Sequence, residues 1–424
     1  MRALMTEAWL LASILIGTVG FAAGSPPVVI IAALIFGTGG AARLWSRLSL
    51  ERVVYERTLS EHRVFAGESV DLTLAVENQK VLPVPWIEVR ETFPRGMPAT
   101  AQTRPGSAPG TEVLVRSTSL GSNDRVEWEV SLRAARRGYF RVGPTLLRSG
   151  DIFGFFEREQ VGLPRIDGIV VYPRTYALAE LGFDSARPFG EFRGGNPVFE
   201  DPARVVGVRD YQHGDPMRRI DWKATARVGR LQSRLYEPSR SLSLIVALNI
   251  PTFEYTWQGS DPVLLERGIS VAASIARWAF DSGAAVGLIA NGSFPDADRT
   301  IRIGAGSRPD QLNRILEALA MITAFTTSAM STDLEDPHYP LPAGATVLVI
   351  AAVMPPDLAA SLHALRADGY IVHVVKTSEQ DWDAHLGTIP VTDIVPAVEA
   401  LEAQAEAEGI LGGTGGPEPI GVPS

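Results

Sequence analysis

The sequence predicts a multi-domain chain: a transmembrane helical hairpin, then a β-sandwich, then an α/β domain. Three observations predict it. Two uncharged apolar stretches open the chain, "AWLLASILIGTVGFAA" from Ala8 and "PVVIIAALIFGTGGAA" from Pro27. Period-two alternation of apolar and polar residues follows. The C-terminal half then alternates continuous apolar runs with helically spaced ones. At 424 residues the chain is long enough for two or three domains.

The two opening stretches are each a little short of the ~20 residues that span a bilayer, but flanking residues extend them to 4–23 and 27–45. Only "GSPP" separates them, so they are expected to form a hairpin. Arg2 precedes the pair and Arg43, Arg47, Arg52 and Arg57 follow it, while the turn carries no cation. The positive-inside rule then puts both ends in the cytoplasm, giving a two-pass protein of the inner membrane. A cleaved signal peptide would leave the second stretch unexplained.

Composition excludes several chemistries. With no cysteine there can be no disulfide, thiolate metal site or cysteine nucleophile. The net charge of −9 disfavours nucleic acid as a partner, because phosphate binding needs a basic footprint.

From Arg52 the pattern changes. "ESVDLTLAVEN" puts Val70, Leu72, Leu74 and Val76 on one face, and "RVEWEVSLRA" does the same with Val126, Trp128, Val130 and Leu132. "WIEVRETF" and "TEVLVRSTS" add two more strands, with glycine and proline clusters between them. Half-buried antiparallel strands of this kind suit a β-sandwich. Phe153, Phe155 and Phe156 close the module and are expected to be buried plugs.

"SLSLIVALNI", "AAVGLIANG", "ATVLVIAAV" and "IVHVVKT" read as strands buried on both faces. Helical segments from Pro262, Asp310 and Pro356 lie between them. This alternation implies a parallel sheet wrapped by helices, with ligand sites expected beyond the carboxyl ends of the strands. The expected domains are 1–48 (hairpin), 49–165 (sandwich), 166–400 (α/β) and 401–424 (flexible tail), with a short helix in "EALEAQAEAEG" after Val398 trailing into the tail.

The segment "VRDYQHGDPMRRIDWKATARVGRLQSRLYEP", Val208 to Pro238, with "HRVFAGESVDLTLAVEN" and "RRGYFRVGPTLLRSGDIFGFF" upstream, resembles the bacterial family numbered fifty-eight among the domains of unknown function. The resemblance implies a von Willebrand factor A-like (Rossmann-like) α/β domain. It also implies a protein partner, a MoxR-type AAA+ ATPase, for assembly or maturation of other complexes. It implies no enzymatic activity and no cofactor. A-like domains often bind a divalent cation through D-x-S-x-S after the first strand. Here Asn249, Pro251 and Phe253 stand at those places. An amide, an imino ring and a benzyl group replace a carboxylate and two hydroxyls, so no metal is expected there.

Within the signature, Asp215 before Pro216 suggests a helix start and Gly229 a stop. Met217, Ile220, Ala224 and Val228 would form its apolar stripe, with Trp222 buried. Arg209, Asp210, Asp215, Arg218, Arg219, Asp221, Trp222, Lys223 and Arg227 are the candidate docking or stapling residues, and the two roles stay open. Catalysis by Asp215 and Asp221 with His213 is disfavoured: six residues turn a helix by ~600°, which separates the carboxylates. The expected function is therefore a non-enzymatic, membrane-anchored scaffold. The alternatives are a metal-dependent hydrolase using the signature aspartates, Asp210 included, and an extracytoplasmic adhesion module.

Overall fold

The computed structural model describes residues 8–183, 200–212, 217, 220–238, 243–294, 299–382 and 385–407. They divide into two units, the first ending at Tyr172 and the second beginning at Pro173.

The first unit opens with helices α1 (Ala8–Ala22) and α2 (Pro26–Ser49). Small residues let them approach. A Cβ on Gly39 would meet the Trp9 ring at 2.3 Å, and one on Gly20 would meet Val28 at 2.7 Å. Leu11, Ile14 and Leu15 of α1 and Ile30, Ile31 and Leu34 of α2 stay exposed. Close backbone packing with outward-facing apolar side chains suits a lipid surround. Helix α2 is long and apolar enough to cross a membrane, and α1 is apolar but shorter. The pair fits an N-terminal membrane anchor.

Strands β1 (Val53–Leu59), β2 (Arg63–Phe65), β3 (Ser69–Asn78), β4 (Val84–Pro94), β5 (Thr103–Pro105), β6 (Thr111–Leu120), β7 (Arg125–Arg133), β8 (Gly138–Val142), β9 (Thr145–Gly150), β10 (Glu157–Leu163) and β11 (Asp167–Tyr172) follow. They form sheets ordered β1-β3-β7, β10-β9-β4-β6-β5 and β2-β11-β8. Alternate residues of β3 enter one core, Val70, Leu72, Leu74 and Val76, with Ile87 and Val89 of β4, Leu114 of β6 and Leu147 of β9. The period-two pattern produces this burial directly. Strand β11 lies beyond the expected boundary at 165, yet it pairs with β2 and β8 and sends Ile169 and Val171 into the same core.

One buried ion cluster interrupts that core. The Arg57 guanidinium donates to Glu91 at 2.5 Å and to Asp167 at 2.7 Å, and the Tyr55 hydroxyl donates to Glu91 at 2.7 Å. Burial, then the Glu91 charge, push the Tyr55 hydroxyl well above its ordinary range. Arg57 and Arg165 hold the Asp167 carboxyl below its ordinary value despite burial.

The second unit contains β12 (Glu200–Asp210), α3 (Trp222–Val228), β13 (Gln232–Pro238), β14 (Ser243–Leu248), α4 (Pro262–Asp281), β15 (Ala285–Ala290), β16 (Ile301–Gly306), α5 (Gln311–Met321), α6 (Met330–Leu334), β17 (Thr346–Ala351), α7 (Pro356–Ala367), β18 (Ile371–Lys376), β19 (Val391–Asp393) and α8 (Val395–Ala407). The main sheet runs β16-β15-β14-β17-β18-β19, parallel except for the edge strand β16. From β14 the chain moves outward through β15 and β16, then returns through β17 on the other side. The crevice between β14 and β17 is thus the switch point where such sheets place ligands.

Helix α8, running to Ala407, is the short helix expected after Val398, and buried Arg267 of α4 donates to its Glu402 at 2.8 Å and Glu399 at 3.3 Å; the rest of the expected tail lies outside the described residues. One expectation needs correction. Of the phenylalanines expected to be plugs, Phe153 and Phe155 are exposed, at 61% and 66%, and Phe156 is half-buried. Phe153 and Phe155 sit at the tip of the β9–β10 hairpin, where the tight turn leaves them outside the core.

Candidate functional site

The signature folds around a ribbon in which β12 and β13 pair antiparallel, with Arg209 opposite Ser233 and Asp210 opposite Gln232. The Tyr211 N–H donates to Leu231 O at 2.9 Å, and the Asp221 N–H donates to Gln232 O at 2.8 Å. The second bond and the bridge from Ile220 to Ser233 keep Ile220 and Asp221 extended. The helix therefore starts at Trp222, not after Asp215. Its cap is Asp221, whose Oδ1 accepts the N–H groups of Lys223 and Ala224, each at 3.0 Å. Gly229 ends it at φ 71°. His213, Asp215, Pro216, Arg218 and Arg219 lie outside the described residues.

Two signature carboxylates are engaged locally. Asp221 Oδ2 accepts from Arg234 Nε at 3.2 Å, and Asp210 Oδ1 accepts from Gln232 Nε2 at 2.5 Å. The Ala224 N–H, then Arg234, hold the Asp221 carboxyl below its ordinary range. Arg209 donates to Asp210 O at 3.1 Å.

Trp222 is not buried as expected but 64% exposed, and Met217 and Val228 of the expected stripe are exposed too. Ile220 fills the apolar contact with the ribbon instead, and a seven-residue helix has no second layer to cover its tryptophan. Trp222, Lys223 and Arg227 form its outward face.

At the carboxyl ends of the main sheet, Asn249 follows β14 and Asn291 follows β15. Asn291 Nδ2 donates to Asn249 Oδ1 at 3.1 Å and to Ser328 O at 3.2 Å. Asn249 Nδ2 donates to Val353 O at 3.3 Å, across the switch point, and Asn291 Oδ1 accepts the Ile250 N–H at 2.8 Å. Thr252 Oγ1 accepts the Asp261 N–H at 2.7 Å. Each polar group that could face a cation is turned onto the protein, and Pro251 and Phe253 add no oxygen, so this residue set does not fit a divalent ion. The cavity left beside Asn249 is about 10 Å³, room for about one water and for no larger ligand. Among the described residues, no group of three or more His, Asp or Glu side chains could hold a metal ion. A wider groove of about 730 Å³ lies beside α6 and α7, where Ser331 donates to Asp357 and Ser361 to Glu335.

The same sheet edge carries exposed aromatic residues that the sequence reading passed over. The rings of Tyr255 and Trp257 stack at 6.0 Å and 20°, and Trp257 is 80% exposed. Phe325 is also exposed, and its carbonyl accepts the Ser293 N–H beyond β15 at 3.0 Å. Two aromatic residues within three positions of a strand-end loop were the available signal. Exposed aromatic rings of this kind are enriched in protein interfaces.

Residues 207–401 match the family model described as "Protein of unknown function DUF58". An uncharacterized protein of Bacillus subtilis, YeaD, is similar at 24% identity over 240 residues, 56% of this chain. The match spans about half of that relative, 55% of its length. Among solved structures, the CARDB domain of the PF1109 protein of Pyrococcus furiosus in complex with di-metal ions is similar at 14% identity. That match covers 28% of this chain and 86% of that one, with a TM-score of 0.19. A cohesin module of a family 33 glycoside hydrolase from Clostridium perfringens is similar at 14% identity, covering 28% of this chain and 97% of that one, with a TM-score of 0.20. Likenesses this slight carry no argument about fold or chemistry.

Proposed function

Residues 207–401 belong to the DUF58 family of proteins of unknown function, and from that premise we propose that the chain is a non-enzymatic, membrane-anchored scaffold acting through its surface. One observation carries the reading. The carboxyl end of the sheet, where α/β domains usually bind small ligands, is closed by Asn249, bonded to Asn291 and, across the β14–β17 crevice, to Val353 O, while exposed Tyr255 and Trp257 follow in the next loop. The polar groups there are already satisfied, and what remains outward is an aromatic surface suited to protein. The α/β domain is von Willebrand factor A-like and metal-free. The outward face of α3, with Trp222, Lys223 and Arg227, is a second contact. Family resemblance supports a MoxR-type AAA+ ATPase as the partner and assembly of other complexes as the task. The arginines after α2 support an inner-membrane location with both soluble units in the cytoplasm.

The test is crosslinking and affinity capture of the full chain from native membranes, with Trp257→Ala and Tyr255→Ala variants beside it. An AAA+ ATPase enriched with the unaltered chain and lost with the variants is the expected result. Capture without any ATPase, or capture indifferent to both variants, overturns the reading. Protease added to spheroplasts should leave both soluble units intact; cleavage would favour the extracytoplasmic adhesion alternative. The hydrolase alternative has little support, because Asp210 and Asp221 are committed to Gln232, Arg234 and the α3 cap.

A further inference from the structure

The β9–β10 hairpin turns through Asp151, Ile152, Phe153, Gly154, Phe155 and Phe156. Asp151 is fully buried and knits the turn. Its Oδ2 accepts the Phe153 N–H at 2.8 Å and its Oδ1 accepts the Phe156 N–H at 2.6 Å. Its carbonyl accepts the Trp86 indole N–H at 3.2 Å. Gly154 sits at φ 74°, which a side chain would strain. This rigid turn pushes Ile152, Phe153 and Phe155 outward, with the last two rings stacked at 5.7 Å. Three large apolar side chains held together in the open on a fixed turn mark a contact surface.

The tip lies against the membrane helices. Phe156 meets Trp9 of α1 edge-to-face at 6.0 Å, and the Arg43 guanidinium of α2 lies 5.9 Å over its ring. Trp9 in turn packs on Gly39 and Phe36. The tip is thus level with the point where α2 passes from apolar residues to its first arginine, the depth of a bilayer interface. The module is held there by Arg158, which donates to Arg47 O at 2.7 Å, and by Gln160, which donates to Leu50 O at 3.3 Å.

We propose that Ile152, Phe153 and Phe155 insert into the same leaflet as the adjoining ends of α1 and α2, as a third, monotopic membrane contact. The occupant of this patch is lipid, by continuity with the helices beside it. Aromatic side chains prefer that depth, ~5–10 Å into the headgroup–acyl boundary. The contact fixes the face of the β-rich module that lies on the bilayer. The proposal rests on the membrane-anchor reading of α1 and α2.

The chain has no cysteine, so single cysteines can be placed at Phe153, Phe155, Ile14 and Ser107 of the full protein. Ile14 reports on α1. Ser107 lies in the turn between β5 and β6, beside the end of β4 at Pro94, whereas the hairpin tip lies near its Ile87 end. Seven strand residues put them ~24 Å apart. Each variant is labelled with an environment-sensitive fluorophore and reconstituted in liposomes of anionic and zwitterionic phospholipid. Labels at 153 and 155 should shift to the blue, lose most of their quenching by aqueous iodide and be quenched by shallow doxyl lipids. Ser107 should behave as a water-exposed site. Iodide-accessible, lipid-unquenched labels at 153 and 155, with Ile14 quenched by lipid, overturn the proposal alone. An iodide-accessible Ile14 overturns the anchor reading and this proposal with it.

Discussion

Asn249 and Asn291 join the ends of β14 and β15 through one amide–amide hydrogen bond, Asn291 Nδ2 to Asn249 Oδ1 at 3.1 Å. Asn249 is nearly buried and also donates to Val353 O, so its amide serves as donor and acceptor at once. Asn249→Asp keeps the shape, loses the donor and adds a buried charge. We expect it to cost ~1–3 kcal/mol, and removing a partner from a buried polar group is the reason. Magnesium should not restore the melting temperature, because Pro251 and Phe253 still supply no oxygen. A thermal melt with and without the ion checks both statements; rescue by magnesium would count against the metal-free reading.

The Arg57–Glu91 pair has no exposed side-chain surface. Glu91→Gln leaves the guanidinium with Asp167 alone to balance it and should cost about 3–5 kcal/mol, as broken buried pairs do. Replacing both partners, Arg57→Met with Glu91→Leu, should recover part of that loss. Denaturant unfolding of the two variants provides the comparison, and equal stability for all three chains would sink the prediction.

His373 of β18 is set for a pH effect. Burial lowers its pKa from the ordinary 6.5 to about 4. The unfolded chain therefore takes up a proton between those values while the folded chain refuses it. Stability is complete above pH 6.5 and declines as pH falls toward 4, by up to about 3 kcal/mol at the usual 1.36 kcal/mol per pKa unit. His373→Asn should flatten this part of the stability–pH curve of unit two. An unchanged slope would remove His373 as its source.

Arg267 of α4 is buried and grips Glu399 and Glu402 of α8. Arg267→Leu should release that helix while β14, β15 and β17 remain protected. Hydrogen exchange reads the difference: residues 395–407 should exchange faster, with little change in the sheet. Uniform acceleration through both would show that the ion pairs support the whole unit instead.

The central strands were legible because burial on both faces demands continuous apolar runs, and β14, β15, β17 and β18 have them. The edge strand β16, "IRIGAG", was not, since a glycine-rich half-solvated strand carries no such run. The signature helix was misplaced for a nonlocal reason. Asp215-Pro216 looks like a helix start but lies outside the described residues, and pairing with Gln232 and Ser233 keeps Ile220 and Asp221 extended, so α3 begins at Trp222. Trp222, Phe153 and Phe155 broke the rule that large aromatic residues bury, because each sits on a projection too small to cover it. The Asn249–Asn291 pair spans 42 positions and follows from register alone: Leu248 pairs with Ala290, which sets the next residues side by side.

The Lys80 ammonium donates to Ser49 O at 2.7 Å and to Glu51 O at 2.8 Å, clasping the carbonyls where α2 gives way to the first strand. A clasp at that joint removes the swivel a linker would provide. On the anchor reading, helix and β-rich module then form one stiff lever. The uncharged part of α2, Pro26 to Ala42, rises ~26 Å, close to the hydrocarbon thickness it would cross, so its fit depends on the local thickness of the bilayer. With no swivel at the joint, any lean that the helix takes up in a thinner bilayer would pass undiminished to the module, making the lipid itself a dial on the angle at which the protein meets its surroundings.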